Sequence, residues 1–290
     1  MKKIFTFFII TLISIISQAQ NKTDISLKWK NSVTQQKSIT SETGDLYNEL
    51  AHHGPAIENE WMALRLYFDK KVSIDVYNKA KTGLELAQTA WYSTPEQQKE
   101  GWGADYYKVG NTMGLGGVRL WDGEKVVLLN PVKMRTARVV KHTNISYMEM
   151  LSEGIPYKDD TIDVLVRVTV YSGFREAKVE AFALCAKPVQ FLTGINYHPS
   201  TQTKEGKNYI CTWGIHPEDV ASFQVAIGAA IVYNPNDFIE IRKEKSEFLM
   251  ISKPAKYLST WIISACESEP ILKNMAQFIS YVENLNIEEY

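Results

Sequence analysis

Cysteine is scarce, at three residues in 290: Cys185, Cys211 and Cys266. An odd number cannot pair completely within one chain, and the wide, irregular spacing fits no zinc pattern. Each falls in an apolar, strand-like run, so buried thiols are expected, with at most one disulfide in an oxidising compartment. An excess of charge is missing too. Lys and Arg number 32 against 33 Asp and Glu, for a formal net charge of -1. That balance lacks the basic footprint of a nucleic-acid binder. Past residue 16 no apolar run is long enough to span a bilayer, so no membrane anchor is expected. Gly114, Gly116 and Gly117 have no strand-turn-helix unit around them and no downstream acid, which excludes a dinucleotide fold. There is no Gly-x-Ser-x-Gly elbow and no nucleotide loop.

What is present begins with Lys2 and Lys3, an apolar run from Ile4 to Ile16, and Ser17-Gln18-Ala19. This is the pattern of a secretory signal cut before Gln20, so the mature protein is expected to be periplasmic or secreted. No cysteine follows the cut to carry a lipid. Residues 20–45 are polar and read as an N-terminal arm, with a short strand possible at Ile25 to Trp29. Residues 46–290 read as one domain.

From residue 118 the chain is nearly all strand and turn. Val118 to Trp121 and Val126 to Leu129 flank an Asp122-Gly123 turn and form a hairpin. Thr161 to Tyr171 alternates most cleanly, with Ile162, Val164, Val166, Val168 and Val170 on one face. Many strands on short turns predict an all-β fold, a large antiparallel β-sandwich. Two helical signals interrupt it. Thr94-Pro95 opens a short helix, with Thr94 as cap. From Pro270 the apolar residues Ile271, Leu272, Met275, Phe278, Ile279 and Val282 recur at helical spacing and predict a C-terminal amphipathic helix, with Ser268 as its cap.

The stretch richest in chemistry runs from His52 to Asp69. A His pair precedes Gly54-Pro55, then Glu58 and Glu60, then an alternating strand. Met62, Leu64, Leu66 and Phe68 point one way; Trp61, Arg65, Tyr67 and Asp69 point the other. The first set reads as core. The second is either a sugar-binding row of aromatics and charge or a mixed solvent face. Val72 to Tyr77 reads as its partner strand. The irregular stretch 78–117 carries Gly101-Trp102-Gly103-Ala104-Asp105, a long loop of the kind that more often holds function than not.

Taken together, the segments His52 to Asp69, Gly101 to Asp105, Trp121 to Lys125 and Asn130 to Arg135 resemble the family catalogued as domain of unknown function 4861, over about residues 46 to 270. The resemblance implies a galactose-mutarotase-like sandwich in a secreted protein of polysaccharide breakdown. It also implies an activity: dehydration of unsaturated uronic-acid oligosaccharides, as in ulvan degradation. No cofactor is implied.

Such an elimination needs a base for a carbon-bound proton, an acid for the departing hydroxyl and a cation for the carboxylate. His53 is the first candidate acid or base; otherwise it braces the turn. His52 faces the opposite way on an extended chain and is a substrate-side candidate. Arg65 suits the substrate carboxylate, or else pairs across strands with Asp75. Tyr67 could donate a proton or simply pack. Asp105 could be the base or bind hydroxyls. His198 is a second acid or base, whereas His142 and His216 look peripheral. Trp61, Trp102 and Trp121 could stack on sugar rings or fill core. Arg119 and Arg135, with Arg138, would favour an anionic sugar. Glu60 falls on the core side and needs a partner: a His, a Lys or a metal, although no established ligand spacing is present. A hydrolase using two acids among Glu58, Glu60 and Asp105 remains open, as does a non-catalytic sugar-binding surface.

Overall fold

The computed structural model describes residues 22–89 and 92–285, so the expected signal over 1–19 lies outside it. Among the described residues eighteen strands run in chain order: β1 (Thr23–Ser26), β2 (Ser38–Ser41), β3 (Ala56–Asn59), β4 (Met62–Leu66), β5 (Ile74–Asn78), β6 (Arg119–Trp121), β7 (Val126–Val127), β8 (Met134–Lys141), β9 (Ile145–Tyr157), β10 (Asp160–Tyr171), β11 (Ala177–Leu184), β12 (Gln190–Asn196), β13 (Thr201–Glu205), β14 (Tyr209–Gly214), β15 (Ile227–Val232), β16 (Phe238–Lys243), β17 (Glu247–Ser252) and β18 (Tyr257–Cys266). Two α-helices accompany them, α1 (Pro95–Lys99) and α2 (Met275–Glu283).

These strands form three antiparallel sheets. Nine strands make the largest, in the order β13-β14-β15-β18-β11-β10-β9-β8-β2. Facing it are a four-stranded sheet, β1-β3-β4-β5, and a five-stranded one, β16-β17-β12-β6-β7. One hydrophobic core fills the space between the layers. It takes Leu64, Leu66 and Val76 from the four-stranded sheet, Leu120 and Ile195 from the five-stranded sheet, and Val164, Val166 and Ile262 from the nine-stranded sheet. The fold is thus an all-β sandwich with a C-terminal helix.

The two smaller sheets are spliced by residues 113–115. Gly114 bridges Ile74 on β5, and Leu115 bridges Ile195 on β12. The backbones approach so closely that a Cβ on Gly114 would lie 2.0 Å from the Ile74 carbonyl oxygen, at a φ of +71°. The glycine run therefore serves sheet joining.

Elements differ from expectation in a few places. The described part of the 20–45 arm is woven in: β1 pairs with β3, and β2 closes one edge of the large sheet against β8. Helix α2 starts later than Pro270 suggested, because Asn274, not Ser268, caps it by accepting the Gln277 N–H at 3.0 Å. Helix α1 carries the expected Thr94 cap, completed by the Gln97 side chain. Strands β13 and β16 were not anticipated; both are edges with mostly exposed residues, β13 wholly polar and β16 turning Ile239 and Ile241 outward. No helix among the described residues is long and apolar enough to cross a membrane.

Candidate active site

The site is assembled where β4 meets the turn before β3. Leu50 leads into a 3-10 turn, Ala51–His53, and His52 and His53 both take left-handed backbone angles, φ 57° and 62°. Such angles cost about 1–2 kcal/mol per non-glycine residue, so surrounding contacts must hold them. The Phe68 N–H donates to the His53 carbonyl at 2.9 Å, and the Leu66 N–H to Pro55 at 3.0 Å. These bonds lay the His turn along the end of β4, beside Tyr67. The rings of Tyr47 and His53 stack with centroids 3.9 Å apart, and Tyr67 meets both edge-on.

Antiparallel pairing then sets the charges. Arg65 on β4 lies directly opposite Asp75 on β5. Beyond β5, Ala104 bridges Asn78 and delivers Asp105. The Arg65 Nη2 donates to Asp75 Oδ2 and, at 2.5 Å, to Asp105 Oδ2. Tyr67 donates its hydroxyl to the same Asp75 oxygen at 2.6 Å. The guanidinium lies near three tyrosine rings: Tyr77 at 4.5 Å, Tyr92 at 5.4 Å and Tyr67 at 5.6 Å. Arg65 and Asp75 are wholly buried. His53, Tyr67, Tyr77 and Asp105 keep 6–8% exposure, and Tyr47 and Tyr92 are half-exposed. The group is graded in depth, with the Arg65–Asp75 ion pair at its floor, His53, Tyr67, Tyr77 and Asp105 buried just above it, and Tyr47 and Tyr92 outermost.

Protonation follows from burial. Asp105 is pushed up to about 8 by burial and by the Asp75 carboxylate, against the pull of Arg65. It therefore holds its proton more tightly than an ordinary carboxyl. Burial drives His53 down to about 4, with Arg65 adding to the effect, so its imidazole is neutral. His53 Nδ1 is 2.9 Å from the Tyr47 carbonyl oxygen, which can only accept; Nδ1 thus carries the proton. Nε2 is left with a lone pair and accepts from the Tyr92 hydroxyl at 2.9 Å. Burial, followed by the Asp75 carboxylate, holds Tyr67 well above the usual phenol range. Burial also raises Tyr92, against Arg65.

Four sequence candidates therefore meet here: His53, Arg65, Tyr67 and Asp105. The role expected for Arg65 changes. Its charge is spent on two internal carboxyls and it has no solvent exposure, so it organises the floor and does not clamp a substrate carboxylate. The row of Arg65 and Tyr67 is no open solvent face either, because Leu86 and Tyr92 pack over Ala63 and Tyr77 beside it.

The remaining candidates are elsewhere. His52 lines a small cavity with Tyr77, Glu58, Glu85 and Thr89 that has room for about one water. Neither of its ring nitrogens has a protein partner, and burial lowers it to about 3. Arg135 is an internal clamp: it donates to the carbonyls of Gly44 (2.5 Å), Asp69 and Leu129 and to Ser152 Oγ, and burial lowers it to about 10. Arg119 donates to the Asn111 carbonyl at 3.3 Å, on the turn that Lys71 also holds through Gly110. Trp121 packs with Met113, Leu192 and Ile251 under the Arg242 guanidinium. Trp61 lies against Arg175, 4.2 Å from its ring. Glu60, in the β3–β4 turn, accepts the Gly173 N–H at 3.3 Å and pairs with Lys22 at 3.6 Å. Glu58 is sealed against Lys79 at 2.5 Å. His198 belongs to a separate group, edge-on to His216 at 4.4 Å and hydrogen-bonded to the Lys108 carbonyl.

Sequence reading missed Tyr47, Tyr77 and Tyr92 as members. Tyr77 was legible, because it shares the Asp75 face of β5. Tyr47 and Tyr92 come from irregular segments with no periodicity to orient them. Among the described residues, no three His, Cys, Asp or Glu side chains gather where they could hold a metal ion.

Residues 13–288 match the family described as Domain of unknown function (DUF4861). No curated protein sequence matches the chain. Among solved structures, a Klebsiella pneumoniae protein provisionally described as an aldose 1-epimerase aligns over 90% of this chain and 94% of its own, at 8% identity and a TM-score of 0.40. The GH36 α-galactosidase AgaB of Geobacillus stearothermophilus aligns over 86% of this chain and 42% of its own, at 10% identity and a TM-score of 0.31. Likeness at that level carries no argument about chemistry.

Proposed function

We propose that this chain, which belongs to the DUF4861 family, is a carbohydrate-active carbon–oxygen lyase that removes water from uronic-acid oligosaccharides. The observation that carries the reading is an acid and a base displaced in opposite directions around one buried ion pair: Asp105 up to about 8, His53 down to about 4. Groups whose values are driven apart in this way are the mark of divided acid–base roles. At neutral pH the imidazole is unprotonated, with Nε2 accepting from the Tyr92 hydroxyl, and Asp105 holds its proton more tightly than an ordinary carboxyl.

In the proposed reaction a ring proton on the carbon beside the one that bears the departing hydroxyl passes to His53 Nε2, directly or through the Tyr92 hydroxyl. The electron pair left behind forms a carbon–carbon double bond. The neighbouring carbon–oxygen bond breaks, and the Asp105 proton joins the departing hydroxyl, which leaves as water. Arg65 holds Asp105 and Asp75 in place. Lys71 lies 5.4 Å from the Tyr67 ring and is a partly exposed cation at the margin, suited to the sugar carboxylate.

A hydrolase reading is weaker here. Retaining and inverting glycosidases need two carboxyls that reach the substrate. Asp75, the only carboxyl beside Asp105 in this group, is sealed beneath Tyr67 and Arg65, and Glu58 and Glu60 are bound elsewhere. The basic start, apolar run and small residues over 1–19 support a periplasmic or secreted protein, which amino-terminal sequencing of the mature protein checks by a start at Gln20.

The test is incubation with unsaturated uronic-acid oligosaccharides followed by mass spectrometry. Loss of one water without chain shortening is expected. Shorter products would point to hydrolysis and sink the lyase reading.

A further inference from the structure

The nine-stranded sheet has an outer face that is only half covered. Over β14, β15 and β18 the helix α2 packs Phe278 and Val282 onto Trp213, Val232 and Ile263. Across β9, β10 and β11 nothing described lies on top, and alternate residues are partly open to solvent. On that open half, flat groups run in a diagonal line. The Arg167 guanidinium lies 5.0 Å from the Tyr147 ring and 5.7 Å from the Phe182 ring. Phe182 in turn packs on Tyr257, ring centroids 5.0 Å apart.

The register fixes the line's direction. Tyr147 sits opposite Thr169, two residues beyond Arg167 on β10. Phe182 sits opposite Leu165, two residues the other way, and faces Tyr257 on β18. Three strand spacings and four residues of rise make a strip about 20 Å long and one side chain wide.

Its charges are already matched. Arg167 donates to Glu149 Oε1 at 2.8 Å, and Glu180 pairs with Lys178 at 3.6 Å while accepting the Tyr257 hydroxyl at 2.8 Å. What the strip offers a partner is therefore a row of π faces, edged by hydrogen-bonding groups whose net charge is small. At roughly 200 Å² it is far below the ~800 Å² per partner of a stable protein interface. The geometry points to a second, non-catalytic binding strip for a neutral stretch of polysaccharide chain, with sugar rings laid on Tyr147, Phe182 and Tyr257. Pyranose rings present C–H faces to aromatic planes and hydroxyls to their sides, which is what such a row accepts. This rests on the carbohydrate reading only for the choice of ligand class; the strip shares no residue with the His53 site.

Native gel electrophoresis through gels containing arabinoxylan, laminarin or hydroxyethyl cellulose, all uncharged chains, tests it. The wild-type protein should be retarded in at least one gel. The Phe182→Ala/Tyr257→Ala double variant should lose tenfold or more in affinity, with turnover of short oligosaccharides unchanged within twofold. Because the strip is charge-matched, retardation should change little with salt. Asp105→Asn should lose turnover and keep retardation. If the wild type shows no turnover on any sugar while retardation still needs Phe182 and Tyr257, the strip stands and the lyase reading falls. The strip is overturned if the double variant is retarded like the wild type, if no gel retards the wild type, or if the double substitution abolishes a dimer.

Discussion

At the scale of single residues, the site depends on groups kept neutral by burial. His53→Asn is the sharpest test of the base. Asparagine tolerates the left-handed backbone at φ 62° but cannot take the proton. Turnover should fall by about 10²–10⁴-fold, measured as water loss by mass spectrometry, with the fold intact. Asp105→Asn removes the proposed acid. In the wild type kcat should rise as pH climbs through about 4, where His53 loses its proton, and fall above about 8, where Asp105 loses its own. The variant should lose the alkaline limb along with most of its rate. His52 carries a stability effect. Its folded value, about 3, is below the unfolded 6.5. The unfolded chain alone binds that proton between the two, so stability is full above pH 6.5 and is lost as pH falls toward 3. The loss is on the order of 3–5 kcal/mol for a fully buried imidazole. His52→Asn should flatten the acid side of a plot of Tm against pH; an unchanged slope would show that His52 is not the group responsible. His53, Arg65, Tyr67 and Asp105 were legible because three cluster around one strand and the fourth sits among small residues. Arg135 was not, since only the folded chain brings the carbonyls of Gly44, Asp69 and Leu129 to one guanidinium.

At the scale of elements, the glycine splice at 113–115 is the feature most exposed to a single change. Gly114→Ala puts a methyl 2.0 Å from the Ile74 carbonyl oxygen and forces a left-handed angle on alanine. It should cost at least about 2 kcal/mol, read as a lower denaturant midpoint. A variant as stable as the wild type would show that the two smaller sheets are not joined there. Most strands were readable from alternation, and Thr161 to Tyr171 matches β10 to within a residue. Strand β9 ran six residues past its expected end at Leu151, to Tyr157, through Gly154 and Pro156, which broke the pattern in sequence. The turn that presents His53 was read as extended chain. Two consecutive left-handed residues other than glycine leave no sequence signature, because tertiary hydrogen bonds, here from Leu66 and Phe68, hold them.

At the scale of the whole molecule, the three sheets share one interior. Strand β3 packs against β9 and β10, β5 against β18, and β12 against β15, so no layer buries its apolar face without the others. The active-site floor belongs to this arrangement. Asp105 enters through a bridge to β5, and the next bridges along the same chain segment fasten β5 to β12. A sandwich built this way should unfold as one cooperative unit even though it exceeds the usual size for two-state behaviour. Its tryptophans make that measurable: Trp121 reports the five-stranded sheet, while Trp213 and Trp261 report the nine-stranded sheet beneath α2. Fluorescence and far-UV circular dichroism should give coincident midpoints in denaturant, and Gly114→Ala should move both together. Two separated transitions, with the five-stranded sheet melting first, would mean that the splice transmits little. The His53 and Asp105 groups would then sit on a sheet able to shift against its neighbour.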